Sequence, residues 1–250
     1  MLRSRIIPCL LLHKGGLVKT RQFTEPKYVG DPLNAVKIFN EKEVDELAFF
    51  DIDASTNGRP PNMALLKSIA AESRMPMCYG GGVDNAELAS SIINIGFEKV
   101  SVSSAALKRP QLIREMAETI GSQSVVVTLD VKKNRLLSGY TIHTNNGREK
   151  VNTDIFEFCR QAVEYGAGEV VVNCIDRDGE MKGYDLELAQ SVRKSVSCPL
   201  TILGGAGSVS DMQALIDAVG VVGAAAGSLF VFKGAYRAVL INYMRPGRLN

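Results

Sequence analysis

Short apolar, β-rich runs recur along this chain with amphipathic segments between them, and that alternation constrains the fold more than any other feature of the sequence. Strands that read as near-continuous Val, Ile and Leu runs are buried on both faces, as in a parallel sheet covered by helices. The runs fall near Arg5–Leu11, Glu46–Ile52, Met77–Tyr79, Val100–Ser103, Ser124–Asp130, Glu169–Ile175, Leu200–Leu203 and Val221–Ala224. Helical patterns lie between them at Asn34–Val44, Asn85–Ile95, Pro110–Ile120, Asp154–Tyr165 and Ser208–Ala218. Several open on Asp, Ser or Thr, which can cap the free amides of a first turn. Eight parallel strands with eight helices in 250 residues predict an α/β protein of one closed (β/α)8 TIM barrel. An open doubly wound sheet is the alternative, and no G-x-G-x-x-G follows the first strand to support it.

The second half of the chain echoes the first. Asp51 and Asp176 stand 125 residues apart, while Gly80 and Gly204, and Ser104 and Ser228, each stand 124 apart. A constant spacing over three landmarks suggests a single domain, 1–250, made of two half-barrels, about 1–122 and 123–250. The bland alternative is that glycine after a barrel strand is common.

Composition narrows the partners. A formal charge of +2 creates no field that would recruit nucleic acid or an anionic membrane, so a small local ligand is the better expectation. The apolar stretch Ala218–Phe232 is 15 residues long, short of the roughly 20 that cross a bilayer, and glycines interrupt it. Arg3 and Arg5 before Ile6–Leu12 imitate a signal peptide faintly, but His13 and Lys14 end the run without a small-residue cleavage site. Five cysteines, an odd number with no C-x-x-C pair, suit reduced core thiols in a cytoplasm. His13 and His143 fall in predicted loops with no ligand spacing around them, so no metal site is expected.

Reacting groups in such barrels belong at the C-terminal ends of the strands, where the loops after strands seven and eight often hold a phosphate. Here Gly204–Gly207 runs into a helix at Ser208, and Gly227-Ser228 follows strand eight. Backbone amides at these places can face an anion. Gly80–Gly82 with Ser103 and Ser104 repeats the arrangement, so one elongated ligand phosphorylated at both ends is expected. The carboxylates at the same rim are Asp51, Asp53, Asp130, Asp176 and Asp178. Asp130, after Ser124–Leu129, stands alone and partly desolvated, which should push its pKa toward the range useful for acid/base work. The first strand closes on Leu10, Leu11 and Leu12 and offers no ionisable group opposite it. Long connections at Lys14–Gly30 and Val131–Asn152 suit lids, and Asn145-Asn146-Gly147 reads as a hairpin turn. At the other rim, Arg5, Glu46, Lys99 and Glu169 stand at strand starts; pointing inward, they would form a ring of alternating sign.

Arg5-Ile-Ile-Pro-Cys-Leu, Val18-Lys19, Gly30-Asp31-Pro32, Asp45-Glu46-Leu47, Cys78-Tyr-Gly-Gly-Gly82, Lys99-Val-Ser, Gly121-Ser-Gln-Ser, Asp176-Arg-Asp-Gly179 with Gly183-Tyr-Asp185, and Gly204-Gly-Ala-Gly207 together give a likeness that covers essentially the whole chain. It resembles the cyclase subunit of imidazole glycerol phosphate synthase, a glutamine-dependent enzyme of histidine biosynthesis. The resemblance implies a substrate with two phosphates, a ribulosyl-formimino carboxamide nucleotide, and no cofactor. It also implies a separate glutaminase subunit on the N-terminal rim, with ammonia passing through the barrel. Arg5, Glu46, Lys99 and Glu169 match the gate of that passage, and Glu98 an acidic docking position. Gly82, Ser104, Gly179, Gly205, Gly227 and Ser228 match phosphate contacts and Lys19 a loop lysine over the substrate, and Asp51 and Asp178 stand with them as expected phosphate- or substrate-binding residues.

The family's chemistry uses an aspartate at the end of strand one and another at the end of strand five. Asp130 is present; Leu11 holds the other position. Leu203 stands where a serine is usual and Asp53 where a threonine is common. These departures imply a divergent relative that still conducts ammonia and hands it to a sugar-directed amidotransferase making acetamidino groups for surface polysaccharide. The alternatives are a genuine cyclase, with a water or Asp53 covering for Leu11, and a non-catalytic activator of the glutaminase.

Overall fold

In a computed structural model, which describes residues 3–134 and 139–247, the barrel strands are Arg5–His13, Leu47–Asp51, Met77–Gly80, Lys99–Val102, Val125–Lys133, Glu169–Cys174, Leu200–Leu203 and Gly223–Ala226. Each pairs in parallel with the next in sequence, and Arg5 pairs with Gly223 to close the ring. This is the predicted (β/α)8 barrel. Helices Pro32–Glu41, Met63–Glu72, Ala86–Asn94, Gln111–Ile120, Ile155–Glu164, Leu186–Ser195 and Val209–Val219 cover seven of the connections. Asp31, Asn62, Asn85, Asp154, Asp185 and Ser208 cap six of them by accepting amide hydrogen bonds.

An eighth long helix was expected, and among the described residues it is absent. The last strand leads into Ser228–Val231, a four-residue helix, then a two-stranded hairpin, Phe232–Lys233 with Ala238–Val239. Gly234 and Arg237 take positive φ, 74° and 50°, and Pro246 follows nine residues after Arg237. Left-handed residues and a proline interrupt the amide ladder that a helix needs. The segment instead lies extended, Tyr243 packing on Phe230 and donating its hydroxyl to Ile6 O at 3.1 Å.

The two long connections are also more ordered than loops. Gly16–Arg21 and Thr24–Gly30 form an antiparallel hairpin that continues the first strand, Leu11 opposite Val18. The fifth strand runs past Asp130 to Lys133 and pairs with Tyr140–Thr144, which pairs with Glu149–Val151. Asn145, Asn146 and Gly147 turn that hairpin with φ of 53°, 54° and 77°, as their sequence predicts. Residues 135–138 of this connection lie outside the described residues. His13 and His143, assigned to loops by sequence, are therefore strand residues. All five cysteines are free and four are buried.

Side chains alternate faces along a strand, and this stacks the barrel interior in layers. Ile7, Cys9, Ala48, Cys78, Val126, Val171, Leu203 and Ala225 form a small inner core, separate from the larger core between barrel and helices. The same parity places Arg5 below Ile7 and Leu11 above Cys9, Glu46 below Ala48 and Phe50 above it, and Glu169 below Val171 and Asn173 above it. Each strand thus contributes to the floor, the inner core and the upper mouth.

Candidate active site and axial passage

The upper mouth is a pocket of about 820 Å³. Asp130 lies on its wall, part-buried, accepting a hydrogen bond at Oδ1 from Asn173 Nδ2 at 2.9 Å. Enclosure by protein raises its pKa to about 7, against the opposing pull of the Asn173 N–H, and Asp178 adds a further upward push. A carboxyl poised there can both give and take a proton near neutrality. Leu11 also lines the pocket and contributes a hydrocarbon surface, next to Phe50 in the strand register.

Asp53 does not line the pocket. Its Oδ1 lies 2.8 Å from His13 Nδ1, its Oδ2 accepts from Lys14 N at 2.8 Å, and Arg59 approaches to 3.7 Å. Burial alone would raise its pKa; the Lys14 amide and His13 bring it below the ordinary value. The geometry therefore gives Asp53 no part opposite Asp130. Asp51 lines the pocket with its carboxylate already engaged, by Arg59 Nη2 at 3.2 and 3.3 Å and by the amides of Asp53 and Ala54.

Gly82 and Ser104 line the pocket on one side, with Lys108 and Arg109 nearby. A Cβ at Gly82, whose φ is +70°, would stand 2.7 Å from Arg59 O, so only glycine fits that turn. Gly179, Gly205, Gly227 and Ser228 do not line this pocket: the hairpin after strand one lies against Gly179 and Gly227. Lys19 is buried, its stem against Gly227 and its Nζ 2.5 Å from Asp178 Oδ1. Thr20 Oγ1 donates to Asp178 Oδ2 at 2.7 Å, and Phe23 N reaches the same oxygen at 3.2 Å. Ser228 is buried and accepts from Arg237 Nη2 at 3.2 Å. Farther along the Gly204–Gly207 run, the amides of Gly207 and Ser208 both donate to Asp211 Oδ2 at 2.9 Å.

At the opposite end the four rim charges meet. Arg5 donates to Glu46 and, at 2.8 Å, to Glu169 Oε1; Lys99 Nζ lies 2.9 Å from both Glu46 oxygens and 2.8 Å from Glu169 Oε2. Thr201 Oγ1 donates to Glu169 Oε1 at 2.5 Å. The carboxylate side chains are nearly enclosed, at 6% and 4% exposure. Burial would lower the pKa of Arg5 and Lys99 and raise that of Glu169. The opposite charges prevail and hold all three more firmly ionised than usual. Glu98 is exposed beside this ring, its Oε2 accepting from Met77 N at 2.5 Å.

Between floor and mouth lies a cavity of about 20 Å³, room for about one water-sized molecule. Glu46, Glu169 and Thr201 bound it below; Phe50 and Leu203 bound it above and also line the large pocket. Cys9 and Cys78 face its middle, and burial pushes the Cys9 thiol up to about 12, so both are neutral there. Asn173, Phe50 and Thr201 were not singled out by sequence. The period-two parity from Glu169 through Val171 to Asn173 is the signal that would have found the first.

Fold and site define a barrel whose mouth is a pocket with one carboxyl held near neutrality on its wall, and whose floor is a self-neutralising ionic plug. The family model described as histidine biosynthesis protein matches residues 5–237. The chain is 55% identical over 246 residues, 98% of its length and 95% of the relative's, to a Vibrio vulnificus protein provisionally named imidazole glycerol phosphate synthase subunit hisF3. It is 48% identical over 250 residues to the Pseudomonas aeruginosa protein provisionally named subunit hisF2, covering 100% and 99% of the two chains. It is 36% identical over 245 residues, 98% and 97% of the two chains, to imidazole glycerol phosphate synthase subunit HisF of Clostridium botulinum. The chain belongs to the histidine biosynthesis protein family, among its HisF-like imidazole glycerol phosphate synthase subunits.

Proposed function

We propose that this chain is the ammonia-receiving synthase subunit of a cytoplasmic glutamine amidotransferase complex. A glutaminase docks on the N-terminal rim around Glu98, and ammonia released there crosses the Arg5–Glu46–Lys99–Glu169 ring, the small cavity and the Phe50–Leu203 layer. The observation that carries this reading is the ring itself, stacked directly below the cavity. Four groups of balanced charge offer an ion of either sign no net counter-charge for its lost hydration, whereas a small neutral nucleophile carries no charge to desolvate. The single domain is read as two half-barrels, 1–122 and 123–250, with Gly82 and Ser104 binding one phosphate of the substrate. Gly179, Gly205, Gly227 and Ser228 bind the other once Lys19 shifts from Gly227. Leu11 supports divergence of the acceptor: the nitrogen passes to a sugar-directed amidotransferase that makes acetamidino groups for surface polysaccharide.

The test is Lys99→Ala in the complex with its glutaminase. Glutamine hydrolysis should continue while product formed per glutamine falls to a small fraction, and product driven by added ammonium salt should persist. Unchanged coupling would remove the passage from the proposal.

A genuine cyclase is the second reading, favoured by Asp130, held at about 7 in a pocket of about 820 Å³. Under it, the purified chain supplied with ammonium salt and the ribulosyl-formimino carboxamide nucleotide should form imidazole glycerol phosphate. Absence of turnover dismisses it.

A further inference from the structure

Asn173 occupies the level at which the axial cavity opens into the pocket. Val171, one layer below on the same strand, lines the cavity, and Asn173 lines the pocket. In the strand register its neighbours are Asp130 on one side and Leu203 on the other. With Asp130 ionised the side-chain amide has one orientation, because a carboxylate only accepts: the Nδ2 end faces Asp130 Oδ1 at 2.9 Å. That leaves Oδ1, which is buried in a residue only 9% exposed and has no hydrogen-bond partner among the described residues. A buried amide oxygen without a donor is unfavourable; it is closed to a water-sized sphere here, so a small ligand that brings a donor reaches Oδ1 only when its neighbours give way. The space below is bounded by Phe50, Leu203 and Val171 and admits something about the size of water.

We infer that Asn173 Oδ1 is a binding site for neutral ammonia, accepting one of its N–H bonds at the upper end of the passage and holding its nitrogen beside Asp130. This rests on the proposed function above and adds to it the residue that receives the nucleophile. Asn173 is a positioning residue in two directions, its Nδ2 orienting the Asp130 carboxylate and its Oδ1 orienting the arriving nitrogen. The apolar pair Phe50 and Leu203 makes the approach selective, because an ammonium ion would shed its hydration there without a counter-charge.

The experiment is a titration of the isolated full chain, carrying labelled asparagine and aspartate, with ammonium chloride above pH 8, followed by NMR. Each titration is run at one fixed pH, so the protonation of Asp130 itself does not intrude. The expected result is a saturable shift of the Asn173 side-chain amide, reached at lower total ammonium as the pH rises. Tetramethylammonium chloride at equal ionic strength, which has no N–H, should leave the signal in place. Asn173→Leu should weaken saturation, followed at Asp130, by roughly tenfold, the value of one hydrogen bond. A non-saturating response, an equal response to tetramethylammonium, tighter binding at lower pH, or an unchanged affinity in a folded Asn173→Leu chain would each overturn the assignment. No glutaminase is present in the titration. Failure to form an amidotransferase complex would therefore sink the proposed function and leave this result standing, and the converse holds equally.

Discussion

Leu11→Asp should raise imidazole glycerol phosphate formation from ammonium salt by about 10²–10⁴-fold, the usual worth of a positioned acid/base group. Leu11 lines the pocket on the first strand while Asp130 does so on the fifth, so the new carboxyl would stand on a different wall from the resident one. Phe50 beside it would enclose the new group as the pocket encloses Asp130. Two carboxyls with different surroundings can divide the roles of acid and base. Adding Asp130→Asn to the Leu11→Asp chain should return the rate to the parent level. A discontinuous assay of product, with both variants at equal concentration, checks it; no gain would show that Leu11 is not the defect. The Asp130→Asn change has a second reading, in stability. A carboxyl whose folded pKa is raised supports the fold fully below the ordinary carboxylate pKa and loses that support as the pH rises through about 7. Removing its charge should therefore raise Tm at pH 8, by about 5 °C.

Arg5→Ala should have the largest effect on the fold itself, destabilising it by about 3–5 kcal/mol, the cost of leaving buried charge without its partner. For a chain of this length that is a Tm lower by about 10 °C. Arg5 is the link that touches both glutamates from the side opposite Lys99. Without it two enclosed carboxylates share one ammonium. The Glu169 pKa lies below the ordinary carboxylate range because Arg5 and Lys99 outweigh its burial. Its contribution is therefore present above about pH 4.3 and lost as the pH falls toward the depressed value. In Arg5→Ala that loss should begin at a higher pH, and Glu169→Gln in the same chain should recover part of the stability. Thermal melts from pH 3 to 8 measure both; coincident curves for parent and variant would mean that the ring is not the brace described here.

The barrel was legible because buried parallel strands leave a composition that nothing else in the chain imitates. The floor was legible in part: Arg5 and Glu169 share the parity of Ile7 and Val171, though a charge at a strand start can equally face solvent, and the alternating signs favoured the inward ring. Local chemistry hid the rest. Lys14–Gly30 reads as a polar loop, yet Leu17 and Val18 pair back onto the first strand, and Asp178 gathers Lys19, Thr20 and the Phe23 amide into one clamp. Those contacts join residues 155 to 159 apart, beyond any periodicity. Asn173 escaped because Asp176 and Asp178, three and five residues later, are the chemically louder groups. The absent eighth helix escaped because apolar content alone does not separate a helix from a short turn followed by a hairpin; Gly234 and Pro246 carried the distinction.

That extended final stretch has a mechanical meaning for the other end of the sequence. Tyr243 Oη reaches Ile6 O at 3.1 Å and Asp45 Oδ2 at 3.3 Å, and Arg245 Nη2 lies 3.5 Å from Asp45 Oδ1. Ile6 and Asp45 are the immediate neighbours of Arg5 and Glu46. The tail therefore ties the C-terminal stretch to the starts of the two strands that carry Arg5 and Glu46, bracing the backbone beside two of the four plug members at once.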